Sequence, residues 1–486
     1  MHPGQGIELN ARFFEENKWM YGSSFLQQAS TSDKQQLERE ASAPESEPAA
    51  HTAAAQNGSS APTGTPTASQ VWREAVLPYL GTRLIVLVIG LLSVYYLLPV
   101  LISNPRLPTF SAQGGFPQSL WLMWNRFDSG FYISIARHGY WPASTLYNRS
   151  NWVFYPLYPL LIAGVGRLFG GSADAFNIAG VLIANVAGVG LIIYFYLLVY
   201  RELGQKIAGR AILYLALFPL AFFLSAIYTE SLLLCFSIAA IYYARQQRWW
   251  LAGLCGGLAA LTRLQGVALV VPLAWEYLRA VSAHYAPIHA PWPARLSERV
   301  KFVLYAYFSG LWQAAHRIGH WLRALALVLI PGGLLIFMLY GQLAIGDFFA
   351  TFHASRWGWG RQLSSPLRLL VYSLRHPILA QPLDWNFWLL NIIVAFAFLA
   401  VILWSLRRLP VIYTLYTAVT VLLPLSSNSL NSLARYYLLI FPAFMLLALF
   451  TCKGEKQQLH TFLIAGFAAL QSLLLVFFVL GLFAIA

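Results

Sequence analysis

Residues 84–102 read LIVLVIGLLSVYYLLPVLI, and this stretch decides the fold. It carries no charged side chain. As a helix rising ~1.5 Å per residue it approaches the ~30 Å thickness of a bilayer's hydrocarbon core. The first span is expected at 82–102. Similar apolar runs recur at 178–200, 210–227, 230–244, 250–277, 324–345, 386–406, 410–425, 436–451 and 460–484. Lipid cannot satisfy an exposed backbone, so such runs are expected to be helices. The sequence therefore predicts an all-α fold, a polytopic transmembrane helical bundle of about nine to eleven spans.

Composition points the same way. Of 486 residues, 58% are hydrophobic and 10% charged, against about 25% charged in a soluble domain. The net charge of +14 is explained by basic inner loops and membrane lipids rather than by nucleic acid, which is not expected as a partner. Between residues 71 and 450 the acids are Glu74, Asp128, Asp174, Glu202, Glu230, Glu276, Glu298, Asp347 and Asp384, while most of the Arg side chains share that stretch. Cys235, Cys255 and Cys452 lack metal-ligand spacing and read as small apolar residues. No signal peptide is expected, because the first apolar run begins near residue 82.

Residues 1–70 are rich in Ala, Pro, Ser and Thr. They bury too little to offset the entropy of ordering and are expected to be a disordered cytoplasmic tail. Residues 71–486 form the membrane domain. Arg201, Lys206, Arg210, Arg245, Arg248, Arg407, Arg408, Lys453 and Lys456 mark cytoplasmic loops. The turn at Tyr228-Thr229-Glu230-Ser231, the loop around Asp347 and the loop 426–433 are then expected outside. Parity works if 155–169 lies in the outer interface or re-enters from it. Arg263 falls in mid-run, so 250–277 reads either as one span or as two short helices. The segment 300–323, with His316 and His320, reads as a cytoplasmic interfacial helix.

The first outer loop, 103–177, is long and polar-aromatic. Within it, 127–138 predicts a short helix with Phe127, Phe131 and Ile135 on one stripe, ended by Gly139 and Pro142. It is expected in the outer interface, with Trp124, Tyr132, Tyr140 and Trp141 at headgroup depth. Asp128 is the only acid between 103 and 154, among Arg106, Arg126, Arg137, His138 and Arg149. Such a carboxylate can accept a proton from a hydroxyl while the cations hold a phosphate. The alternative is a helix cap paired with Arg126.

This loop resembles the PIG-V-type mannosyltransferases of the GT-C superfamily. The run Phe127-Asp128-Ser129-Gly130-Phe131-Tyr132-Ile133-Ser134-Ile135-Ala136-Arg137-His138-Gly139-Tyr140 is similar to that family's pattern, with Phe127 in place of the usual Trp. Phe154-Tyr155-Pro156-Leu157-Tyr158-Pro159-Leu160-Leu161 follows. Ser225 to Leu232, Ala260-Leu261-Thr262-Arg263, Gly346-Asp347-Phe348-Phe349 and Ser432-Leu433-Ala434-Arg435-Tyr436 extend the resemblance from about residue 80 to 450. It implies a GT-C-like bundle and an inverting glycosyltransferase, with mannose the typical sugar. Its donor would be a polyprenyl-phosphate-linked sugar, its acceptor a lipid or glycan, and its site extracytoplasmic. Asp128 would be the catalytic base, and the leaving phosphate would be held by Arg or His, with no metal or other cofactor required.

Other candidates are weighed singly. Glu230 at membrane depth is a candidate sugar or acceptor contact, or a wet helix end. Arg263 needs a partner, either a phosphate or Glu230. Arg435 and Tyr436 are donor-phosphate contacts or interfacial anchors. Arg126, Arg137 and His138 share the first loop with Asp128. Asp347, His353 and Arg356 form a lesser group. Rival functions are a transporter or lipid flippase, and an inert assembly protein. A bacterial cytoplasmic membrane is the expected location.

Overall fold

The computed structural model describes residues 64–102, 115–285, 312–313, 316–375, 388–427, 433–452 and 456–481. The expected tail therefore lies almost wholly outside the described residues, as do 103–114 of the first outer loop and most of 286–315. Among the described residues there is no strand; one isolated bridge joins Leu363 to Ser427. The protein is an all-α, multi-pass membrane bundle.

The first span, α1 (Ala68–Val100), runs through two π-turns, Trp72–Val76 and Ser93–Leu97. Two short helices follow in the first loop, α2 (Ser129–His138) and α3 (Leu157–Leu168). Then come α4 (Ala173–Leu203), α5 (Gln205–Leu217), α6 (Glu230–Arg245), α7 (Trp249–Thr262) and α8 (Val270–Tyr285). The remainder holds α9 (Ile318–Ile345), α10 (Pro366–Arg375), α11 (Trp388–Arg408), α12 (Val411–Leu425), α13 (Phe441–Cys452) and α14 (Gln457–Val479).

Among the described residues, five stretches are long and apolar enough to cross a membrane: α1, α4, Leu264–Ala283, α9 and α14. A sixth is the pair Leu433–Leu439 and α13, bent by 67°. Several other apolar runs form shorter helices, among them α3, α7 and α12. The run expected at 210–227 stops at Leu217, two residues before Pro219, which cannot donate to a continuing helix. The freed carbonyls are taken by side chains. Arg83 donates to Ala221 O and Ala216 O at 2.6 and 2.7 Å, and Gln471 donates to Ala216 O and Phe218 O. Irregular backbone at this depth survives only with such partners.

The run at 250–277 is divided. Arg263 is extended, with φ −168° and ψ 154°, so α7 ends there and the chain resumes at Leu264. At 12 residues, α3 is roughly 18 Å long, too short to cross, in keeping with a helix that does not span. It packs on α4, where the Phe176 ring leaves no room for a side chain at Gly166.

Without a hydrophobic drive between helices in lipid, close packing holds them together. A Cβ on Gly253 of α7 would meet Ala326 O of α9 at 1.9 Å, and one on Gly333 would meet Gly257 O at 2.5 Å. These glycines let the two backbones touch.

Among the described residues, the ends of α6 carry two buried ion clusters. At its C-terminal end Arg245 donates to Glu202 and Glu276, both at 2.7 Å, and Arg279 reaches Glu276 at 2.6 Å. Arg245 is the last residue of α6 and is buried between its two carboxylate partners. At the N-terminal end, about 24 Å away, stands Glu230.

Candidate active site

The turn before α2 is built by its own polar groups. Ser129 Oγ donates to Arg126 O at 2.7 Å, and the Tyr228 hydroxyl donates to Arg126 O at 3.0 Å. The Asp128 N–H in turn donates to the same Tyr228 oxygen at 3.2 Å. Between these bonds Phe127 is held at φ 52°, a left-handed conformation that a bulky side chain adopts only under constraint. Asp128 follows as N-cap of α2, but its side chain makes no capping bond. The expected alternative, a cap paired with Arg126, is therefore not what the side chain does. Arg126 donates to Val479 O at 2.8 Å instead, and burial pulls its guanidinium down to about 10.

Asp128 faces Arg435 at 3.6 Å. Arg435 reaches back to Glu230 at 3.3 Å, and Glu230 takes a 2.7 Å bond from Arg263 on the same oxygen, Oε1. The two guanidiniums also share the Tyr436 ring, at 5.9 Å for Arg435 and 4.9 Å for Arg263. Four segments far apart in sequence thus meet in one alternating cluster. The break at Arg263 and the 67° bend after Leu439 are what turn these cations inward.

Exposure separates the two carboxylates. The Glu230 side chain is fully buried, whereas that of Asp128 is 24% exposed. Glu230 is paired on one oxygen with both arginines. Hydrogen bonding separates them further. Among the described acids of the bundle, Glu74, Asp174, Glu202, Glu230, Glu276 and Asp347 all accept hydrogen bonds. Asp128 alone accepts none, and the Arg435 Nη1 opposite it has no hydrogen-bond partner. A buried donor without a hydrogen-bond partner is the exception in a folded protein.

Other expected residues lie apart. Arg137 and His138 are exposed at the end of α2, and no contact among the described residues joins them to the cluster. Asp347 and His353 pair with each other at 2.7 Å, the imidazole stacked on Trp357. His316 bonds its own Trp312 O, and no group of three metal-ligating side chains occurs among the described residues. Trp124 and Tyr132, expected at headgroup depth, are buried in protein, because α2 folds down onto α3 and Tyr228. Burial pushes the Tyr132 phenol up to about 12. Tyr228 was missed as a site residue; its place two residues before Glu230 in an outer turn was the available signal.

Fold and cluster together define a polytopic helical membrane protein with an acid–guanidinium site at one end of its bundle. Residues 73–288 match the family model described as mannosyltransferase (PIG-V), which bears out the resemblance over that stretch. The match includes Asp128, Glu230 and Arg263; Arg435 lies beyond it. No curated protein matches the chain. Among solved structures it is similar to the archaeal oligosaccharyltransferase AglB from Archaeoglobus fulgidus in complex with an inhibitory peptide and a dolichol-phosphate. That likeness has 16% identity and a TM-score of 0.37, and covers 83% of this chain and 55% of that one. The same oligosaccharyltransferase tethered with an acceptor peptide matches at 14% identity with the same TM-score and coverage. The chain thus spans about half the length of these structures.

Proposed function

We propose that the protein is an inverting glycosyltransferase, a mannosyltransferase by family, that uses a polyprenyl-phosphate-linked sugar on the extracytoplasmic face and passes it to a lipid or glycan hydroxyl. The observation that carries this reading is the Asp128 carboxylate, free of hydrogen bonds and partly exposed, opposite a buried guanidinium. Two acids in different environments divide the work. Glu230, dry and doubly paired, holds Arg263 and Arg435 in place. Asp128 takes the proton of the acceptor hydroxyl as its oxygen bonds to the anomeric carbon. The bond from that carbon to the phosphate oxygen breaks with its electron pair, and polyprenyl phosphate leaves.

The membrane setting supports a lipid-borne donor, whose prenyl chain stays in hydrocarbon while the sugar reaches the cluster. The paucity of Lys and Arg in the 228–231 turn supports an outward-facing site. Within the membrane domain, 71–486, the first outer loop 103–177 supplies the base. A bacterial cytoplasmic membrane remains our proposed location.

The test is transfer of labelled mannose from polyprenyl-phosphate-mannose in membranes containing the protein, with the anomeric configuration of the product determined. Transfer with inversion is expected. Retention of configuration would remove the single-displacement mechanism, and transfer only from a nucleotide sugar would remove the lipid-linked donor.

A further inference from the structure

The cluster is neutral by count. Asp128 and Glu230 bring two negative charges, Arg263 and Arg435 two positive ones, and all four are in ion pairs with one another. Before proton transfer it therefore offers no net positive charge to an incoming phosphate. A lipid-phosphate donor needs a cation from elsewhere, placed at the cluster and not already neutralised.

Arg361 meets these conditions. It is exposed, and among the described residues no carboxylate lies within ion-pair distance of it. Its position is fixed by a strap across the site. Trp359 donates to Ser150 O at 2.9 Å and packs its ring on Phe131, one turn along α2 from Asp128. Gly360 turns the chain at φ 62°, the Arg361 N–H donates to Ser355 O at 2.9 Å, and the guanidinium lies over Trp359 at 5.7 Å. Beyond it Ser364 N donates to Ser426 O at 2.7 Å, tying the strap to the last outer loop. A planar guanidinium suits a phosphate because it can donate two parallel hydrogen bonds.

We propose that Arg361 binds the phosphate of the lipid-linked donor and holds it as the polyprenyl phosphate leaves. This rests on the glycosyltransferase reading and adds to it the residue that supplies the uncompensated charge. Chemically, Arg361 stays protonated throughout. It gains no bond to the sugar, and only its hydrogen bonds to the phosphate oxygens strengthen as the carbon–oxygen bond breaks.

The experiment measures two quantities on the full chain in nanodiscs: mannose transfer from polyprenyl-phosphate-mannose, and binding of polyprenyl phosphate alone. Losing a hydrogen bond to a charged group predicts for Arg361→Gln a fall of about ten- to a hundredfold in kcat/KM for the donor and a similar loss of polyprenyl phosphate affinity. Arg361→Lys is expected to recover part of both. Arg368→Gln, an equal loss of exposed charge nearby, should change neither. Undiminished binding and transfer in Arg361→Gln would overturn the proposal while leaving the glycosyltransferase reading intact. Arg361-dependent binding of polyprenyl phosphate without sugar transfer by the wild type would do the reverse. Equal losses in Arg361→Gln and Arg368→Gln would reduce the effect to general surface charge and overturn it as well.

Discussion

Asp128 owes its availability to restraint on its neighbours. Tyr228 and Ser129 occupy the polar groups of the turn, Phe127 takes the left-handed conformation, and Arg126 is drawn off to Val479 O. The carboxylate is left to face one cation at 3.6 Å. Glu230 is the opposite case, a dry anion between two guanidiniums. Glu230→Gln removes a buried charge and leaves both cations uncompensated, which should cost about 3–5 kcal/mol. A lowered unfolding temperature in detergent would register it, and unchanged stability would show that the pairs contribute nothing. Glu230 and Arg263 stood out in the sequence because charge at membrane depth is costly, and Asp128 because it is the lone acid of a long polar-aromatic loop. The Arg263–Glu230 pair was one of two options the sequence offered; the links of Arg435 to Asp128 and Glu230 were not legible, since these residues lie far apart along the chain. Arg361 stayed hidden because an Arg beside Trp359 looks like an interfacial anchor.

At the level of elements, apolar runs located the helices but not their breaks. Pro219 ended α5 earlier than the run implied, while the mid-run Arg263 correctly raised the option of two helices. Both interruptions serve the site, since one frees the segment that carries Tyr228 and the other turns a guanidinium toward Glu230. The glycine contact of α7 with α9 holds the far side of this break. Gly253→Val would drive a side chain into Ala326 O, and such overpacking should cost about 1–3 kcal/mol. The expected readout is a lower melting temperature with reduced transfer, since α7 carries Arg263 at its end. A melting temperature equal to wild type would mean that the helices part without penalty. The burial of Trp124 and Tyr132 was not legible, because an amphipathic helix reads alike against lipid and against protein.

Across the whole molecule, α6 separates a closed ion cluster from an open one. The Arg245 cluster is closed, each of its carboxylates bonded at 2.7 Å. Arg245→Met should destabilise the bundle by about 3–5 kcal/mol yet leave transfer per folded molecule near wild type, as unfolding and activity measured on one preparation will tell. The Asp128 cluster is open, and the central claim is that its unbonded carboxylate is the base. The most direct measurement is mannose transfer from polyprenyl-phosphate-mannose by Asp128→Asn beside wild type, in preparations of equal unfolding temperature. The account predicts a loss of about 10²–10⁴ in rate with the fold intact. Transfer by Asp128→Asn at the wild-type rate would contradict it.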